Sequence, residues 1–128
     1  MDTYGALDRA EQLKRRTKLF ALRVLKLFQA LPKTDEAKIL GRQLLRSGTS
    51  VGANYRAVCR ARTRKEFIAK IGVVIEEADE TVFWFELLIE GGIVTLRQLE
   101  SLLREANELL AIFCASQRTA KRRHSAKQ

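Results

Sequence analysis

Apolar residues recur at intervals of three and four along most of the chain, the spacing that gathers them on one face of an α-helix. From about Leu7 to Leu31 the stripe is Leu13, Phe20, Val24, Leu27, Phe28 and Leu31, with arginines and lysines between them. Pro32 has no amide hydrogen to donate, so this first helix ends at Leu31-Pro32-Lys33. Thr34 or Asp35 can cap a second helix whose apolar face runs through Ile39, Leu40, Leu44, Leu45, Val51, Tyr55, Val58 and Cys59 to about Arg62. Thr63 and Glu66 form a T-x-x-E capping box that opens a third, with a hydroxyl accepting from one orphan amide and a carboxylate reaching back to another. Its stripe, Phe67, Ile71, Val74, Ile75, Ala78, Val82, Phe85, Leu88 and Ile89, reaches the stop signal Gly91-Gly92. Thr95 and Gln98 repeat the capping logic for a fourth helix, with Leu99, Leu102, Leu103, Ala106, Leu109, Leu110 and Phe113 inward. After Ser116 the apolar period lapses, and residues 117–128 read as a frayed, flexible basic tail.

Four amphipathic helices with short connections predict an all-α protein, an antiparallel up-and-down four-helix bundle spanning residues 1–116. Helices two and three, at 1.5 Å per residue, should each be about 40 Å long. A single proline and an excess of Leu, Ala, Arg, Lys and Glu argue against sheet, and 128 residues are one domain's worth. No apolar run approaches the length of a membrane span, and "MDTYGALDRAEQLKRR" lacks the apolar centre of a signal peptide, so the expected location is cytoplasmic. Cys59 and Cys114 are remote from any metal-ligand spacing and are expected to be small buried apolar residues rather than disulfide partners.

The stretch "RSGTSVGAN", residues 46–54, breaks the pattern of strong helix formers. Gly48 and Gly52 each cost a helix interior roughly 1 kcal/mol relative to alanine, so a close approach of backbones has to offset them. Gly48-x-x-x-Gly52 is a small-xxx-small pattern, and Thr49, Ala53, Ala57 and Ala61 make a second small stripe beside it. Arg42, Arg46 and Arg56 rule out a membrane dimer, which leaves packing inside the bundle or between subunits. A hairpin of helices two and three turning around residues 62–64 sets Arg46 near Asp79 and Glu80 and Asn54 near Ile71. One or two of Glu76, Glu77, Asp79 and Glu80 should therefore pair with Arg46 or Arg42. Trp84, between Phe83 and Phe85, and Tyr55 are expected in or beside the core rather than as stacking platforms for bases.

Charge adds a direction to this outline. Residues 1–64 hold 15 Lys and Arg against 5 Asp and Glu, and the second half 9 against 10, for a net +9. A basic surface of this kind gathers polyanions through phosphates, without reading bases. The candidate contacts are Lys14, Arg15, Arg16, Arg60, Arg62, Arg64, Arg122 and Arg123, at helix ends or in the tail. The rival reading is a protein-interaction adaptor, for which the charge serves solubility or an acidic partner. With His124 the lone histidine, nothing activates Ser47, Ser50, Cys59 or Cys114 as nucleophiles, and a Glu-x-x-His metal bundle cannot be assembled. No enzyme, metal, cofactor or small-molecule substrate is expected.

The segment "LLRSGTSVGANYRAVCRARTRKEFIAKIGVVIEEADETVFWFELL", preceded by Leu31-Pro32 at the end of helix one, resembles the four-helix-bundle proteins related to those encoded in intervening sequences of bacterial 23S rRNA. The resemblance spans about Thr17 to Thr119. More distantly, the chain is similar to the accessory variability determinant of diversity-generating retroelements, which assists a reverse transcriptase and binds nucleic acid. The resemblance implies a ring-like homopentamer without enzymatic activity, and carries the family's motif onto Arg46, Ser47, Ser50, Asn54, Phe67, Lys70, Glu77, Glu80 and Trp84. Relatives commonly have Glu-Ala after the Asn-x-Arg of helix two. Here Ala57-Val58 stand in that place, which leaves Arg56 or Arg60 freer to bind an anion.

Overall fold

The computed structural model describes residues 3–126. Four helices follow one another, α1 (Thr3–Ala30), α2 (Asp35–Cys59), α3 (Arg64–Glu90) and α4 (Leu96–Ala126), as an antiparallel up-and-down bundle. Each helix packs mainly on its neighbour in sequence, and the α1–α4 seam is much the narrowest.

The caps anticipated from sequence are present. The Thr34 hydroxyl accepts from the Ala37 amide at 3.3 Å, and the Thr63 hydroxyl from the Glu66 amide at 3.0 Å. Thr95 and Gln98 satisfy each other reciprocally at 3.2 and 2.8 Å, a complete capping box. At the other end of α3 the chain turns through Gly92, whose φ of 74° is the left-handed conformation that glycine adopts without a Cβ penalty.

Phe20, Val24, Leu44, Val51, Ile71, Val74, Phe85, Leu88, Leu99, Leu109 and Phe113 are fully buried in one contiguous core. Phe20 meets Phe85 edge to face across α1 and α3, with centroids 6.4 Å apart. Tyr55 lies against Phe113 at 5.6 Å. Burial, and after it the neighbouring Cys59, push the Tyr55 phenol well above its ordinary range.

Small residues set how close α1 and α2 come. A Cβ on Gly48 would stand 2.9 Å from a methyl of Val24, and one on Gly52 would stand 3.2 Å from the Thr17 carbonyl oxygen. Gly41 is filled in the same way by Leu31 and Phe28. The close approach foreshadowed by "RSGTSVGAN" is therefore α2 against α1 within one chain. Ala53, from the second small stripe, is exposed, while Thr49 is half-buried beside it.

Three expectations are corrected. Ile39 is 60% exposed and Cys59 is exposed, because the buried ridge of α2 runs through Ala37, Gly41, Leu44, Ser47, Gly48, Val51, Tyr55 and Val58 and leaves both outside it. Cys114 is half-buried, so neither thiol is a core residue. The expected tail from residue 117 continues α4 as helix to Ala126. Gln117, Ala120 and His124 keep the helical spacing after Phe113 with polar and small side chains, and the Gln117 amide donates to the Ile68 carbonyl of α3 at 3.3 Å.

Candidate functional site

The motif residues of α2 and α3 resolve into a polar seam between those two helices. Arg46 reaches Glu77 at 3.3 Å and also pairs with Glu80, and the Trp84 indole donates to the same Glu80 carboxylate at 3.2 Å. The expected pairing of Arg46 with this acidic cluster holds, although Glu77 rather than Asp79 is the second partner. Beneath it, fully buried, the Thr81 hydroxyl donates to Ser47 Oγ at 2.9 Å. Ser50 bonds the Arg46 carbonyl at 2.7 Å, and the Asn54 amide bonds the Ser50 carbonyl at 2.9 Å, which settles both on their own helix. Arg46, Ser47, Ser50, Asn54, Glu77, Glu80 and Trp84 thus hold α2 to α3 or bond within their own helix, while Gly48 and Gly52 admit α1. Lys70 pairs with Glu66 at 2.9 Å and holds that carboxyl below its ordinary value.

The candidate phosphate contacts separate into groups. Arg16 is occupied: it grips Glu105 of α4 through two nitrogens at 2.8 Å each, with Glu108 at 3.4 Å, and the bond to Glu105 raises its pKa further. This fork closes the α1–α4 seam, so Arg16 is a structural residue. Lys14 pairs with Glu11 at 3.2 Å and lines, with Lys18 and Arg56, a groove of about 270 Å³ between α1 and α2 floored by Ala21, Thr49, Gly52 and Ala53. Arg122 joins Arg118 and Lys121 along the outer side of α4. Arg15 and Arg60 are exposed outside these grooves.

Arg62, Arg64 and Arg123 do come together. At the end of the bundle where α1 begins, α2 turns into α3 and α4 finishes, they join Arg9 and His124 around a concavity of about 830 Å³. Its remaining wall is small or hydroxylated, apart from the half-buried ring of Phe67. Among the described residues no carboxylate lines it, in contrast to the surroundings of Arg16 and Arg46. Arg64 carries a buried Nη1 with no hydrogen-bond partner among the described residues. The positive end of α3 opens at the same place, behind the Thr63 cap. Arg9 escaped the sequence reading because it stands in no cluster along the chain, and His124, next to Arg122 and Arg123, because a lone histidine reads there only as a potential base or metal ligand. The signal was topological: antiparallel helices bring the start of α1, the α2–α3 turn and the end of α4 to one end.

Among the described residues no group of three or more His, Cys, Asp and Glu is placed to hold a metal ion. No helix is long and apolar enough to cross a membrane.

None of the curated proteins compared matches the chain. Among solved structures it is similar to a protein of unknown function from the S23 ribosomal protein family of Bacteroides thetaiotaomicron, at 35% identity and a TM-score of 0.76, over 81% of this chain and 96% of that one. The family described as 23S rRNA-intervening sequence protein matches residues 10–115. With the bundle, the α2–α3 motif and these matches in agreement, the chain belongs to the 23S rRNA-intervening sequence protein family.

Proposed function

We propose that the protein is a non-enzymatic, oligomeric basic bundle that binds the backbone of RNA or DNA. One observation carries the reading: the end basin, the α1–α2 groove and the outer groove of α4 are lined by cations and, among the described residues, by no carboxylate. Glu77 and Glu80 of α3 and Glu105 and Glu108 of the α1–α4 seam are instead taken up by Arg46 and Arg16 of the same chain, while Glu11 pairs with Lys14 at the edge of the α1–α2 groove. Assembly multiplies the field, since a homopentamer of chains at +9 would carry a formal +45 and sum weak phosphate contacts. Filter binding to single-stranded and duplex polynucleotides across a salt series tests the reading. Affinity should fall linearly on logarithmic axes with a slope of about −0.7 per phosphate contacted on single strands. Undetectable binding at low salt removes it.

Self-association has its own support. Leu19, Leu22 and Leu25 stand exposed on α1 beside Arg23 and Lys26, whereas the outer side of α3 exposes Val73 and Phe83 among Glu76, Asp79 and Glu86. A basic apolar face and an acidic apolar face on one chain suit head-to-tail contact, the geometry that closes into rings. Light scattering should give a multiple of the chain mass that Leu22→Glu reduces, and a monomeric wild type would remove this part. The same leucines support a second reading, an adaptor for a protein such as a reverse transcriptase or another polymerase. A co-purifying protein that survives nuclease treatment favours the adaptor.

A further inference from the structure

The basin at the α2–α3 end differs in kind from the other basic grooves. Its arginines come from three separate parts of the chain, Arg9 on α1, Arg62 and Arg64 at the turn and Arg123 on α4, so cations surround the space rather than run along it. A passing backbone phosphodiester has one negative charge and two chain exits. A terminal phosphomonoester has a charge nearer −2 at neutral pH, three free acceptor oxygens and one exit. Cations converging from three elements on one open concavity fit the second. Arg64 adds an independent sign: its Nη1 is buried without a hydrogen-bond partner among the described residues, so this guanidinium is not already claimed by a carboxylate as those of Arg16 and Arg46 are.

Size and wall chemistry extend the argument beyond the phosphate. About 830 Å³ lies within the range of small-molecule sites, ample for one nucleotide. Phe67 lines the basin half-buried, an aromatic surface on which an unstacked base can rest, and Thr63, Ser116 and Thr119 offer hydroxyls. A duplex hides its base faces in the stack, so Phe67 is useful only to a single-stranded end. Building on the nucleic-acid reading above, we propose that the basin captures the terminal nucleotide of a single strand through its phosphomonoester.

The test compares fluorescently labelled oligouridines with a 5′-phosphate, a 3′-phosphate or hydroxyls at both ends, together with competition by uridine monophosphate, all against the full chain. A terminally phosphorylated strand should bind about tenfold more tightly than the hydroxyl strand, the gain expected of a charge-assisted contact. Arg64→Gln and Arg123→Gln should each abolish that preference, weakening the phosphorylated strand about tenfold more than the hydroxyl strand. Arg122→Gln, on the outer side of α4, should keep the preference. Equal affinity for phosphorylated and hydroxyl strands overturns the basin assignment and leaves backbone binding intact. Mononucleotide that binds as tightly as the phosphorylated strand overturns the strand-end assignment in favour of a free nucleotide. Binding to none of the oligonucleotides overturns both this inference and the function on which it rests.

Discussion

Replacing glycine by alanine at three helical positions should give different signs from one chemical change. In a helix interior the substitution gains about 1 kcal/mol from reduced chain entropy. At Gly48 the new methyl would lie 2.9 and 3.0 Å from the two methyls of Val24 and 3.3 Å from its Cβ. Val24 is fully buried, and a β-branched side chain in a helix has essentially one rotamer, so it cannot swing aside. Relief requires α1 and α2 to separate, an overpacking cost of about 1–3 kcal/mol that leaves Gly48→Ala destabilised by about 0–2 kcal/mol net. Gly52→Ala should be at least as harmful, since its methyl would meet the Thr17 carbonyl oxygen at 3.2 Å and the carbonyl carbon at 3.3 Å, which no rotamer can move. At Gly72 the near neighbour is Gln117 Nε2 at 3.2 Å, the tip of a long side chain held only by its bond to the Ile68 carbonyl, so alanine should range from neutral to stabilising by up to about 1 kcal/mol. Urea unfolding followed by circular dichroism, at one protein concentration, measures all three. Adding Val24→Ala should turn the Gly48→Ala penalty into a favourable coupling of about 0.5–3 kcal/mol in a double-mutant cycle. Stabilisation of Gly48→Ala and Gly52→Ala equal to that of Gly72→Ala would refute the α1–α2 packing argument.

Thr81→Val, nearly isosteric, removes a donor to buried Ser47 and should cost about 1 kcal/mol, with Ser47→Ala/Thr81→Val costing less than the two singles together in urea unfolding. Arg16→Gln should destabilise by about 1 kcal/mol and speed amide exchange at the α1–α4 seam, because a two-pronged carboxylate grip outlasts an ordinary surface pair. Burial raises the Tyr55 phenol above the tyrosine value of about 10, so the folded state keeps its proton after the unfolded chain has released it. That contribution is complete below about pH 10 and is lost as pH rises toward the folded value, so Tyr55→Phe should flatten the alkaline limb of a stability–pH profile.

Most of the fold was legible because helix periodicity, Pro32, the Thr63 and Thr95 caps and Gly92 act locally. Ile39 and Cys59 were misplaced for a physical reason. The inward ridge of α2 is partly built from Ala37, Gly41 and Gly48, whose value is the space they leave, and a search for large apolar side chains gives them no weight. The same blindness hid Gln117 and Ala120 and shortened α4. For the candidate site, local clustering picked out Arg62, Arg64 and Arg123, while the isolated Arg9 needed the three-dimensional meeting of helix ends. Arg16 looked available because the carboxylate that occupies it stands 89 residues away in sequence.

Because each helix leans on the next in the chain and the first scarcely touches the last, native contacts form over short stretches of polypeptide. Low contact order of this kind lets helical bundles reach the native state within microseconds to milliseconds. It does not make the outer helices loose, because α1 carries the fully buried Phe20 and Val24 and α4 the fully buried Leu109 and Phe113, so either helix leaves only with the core.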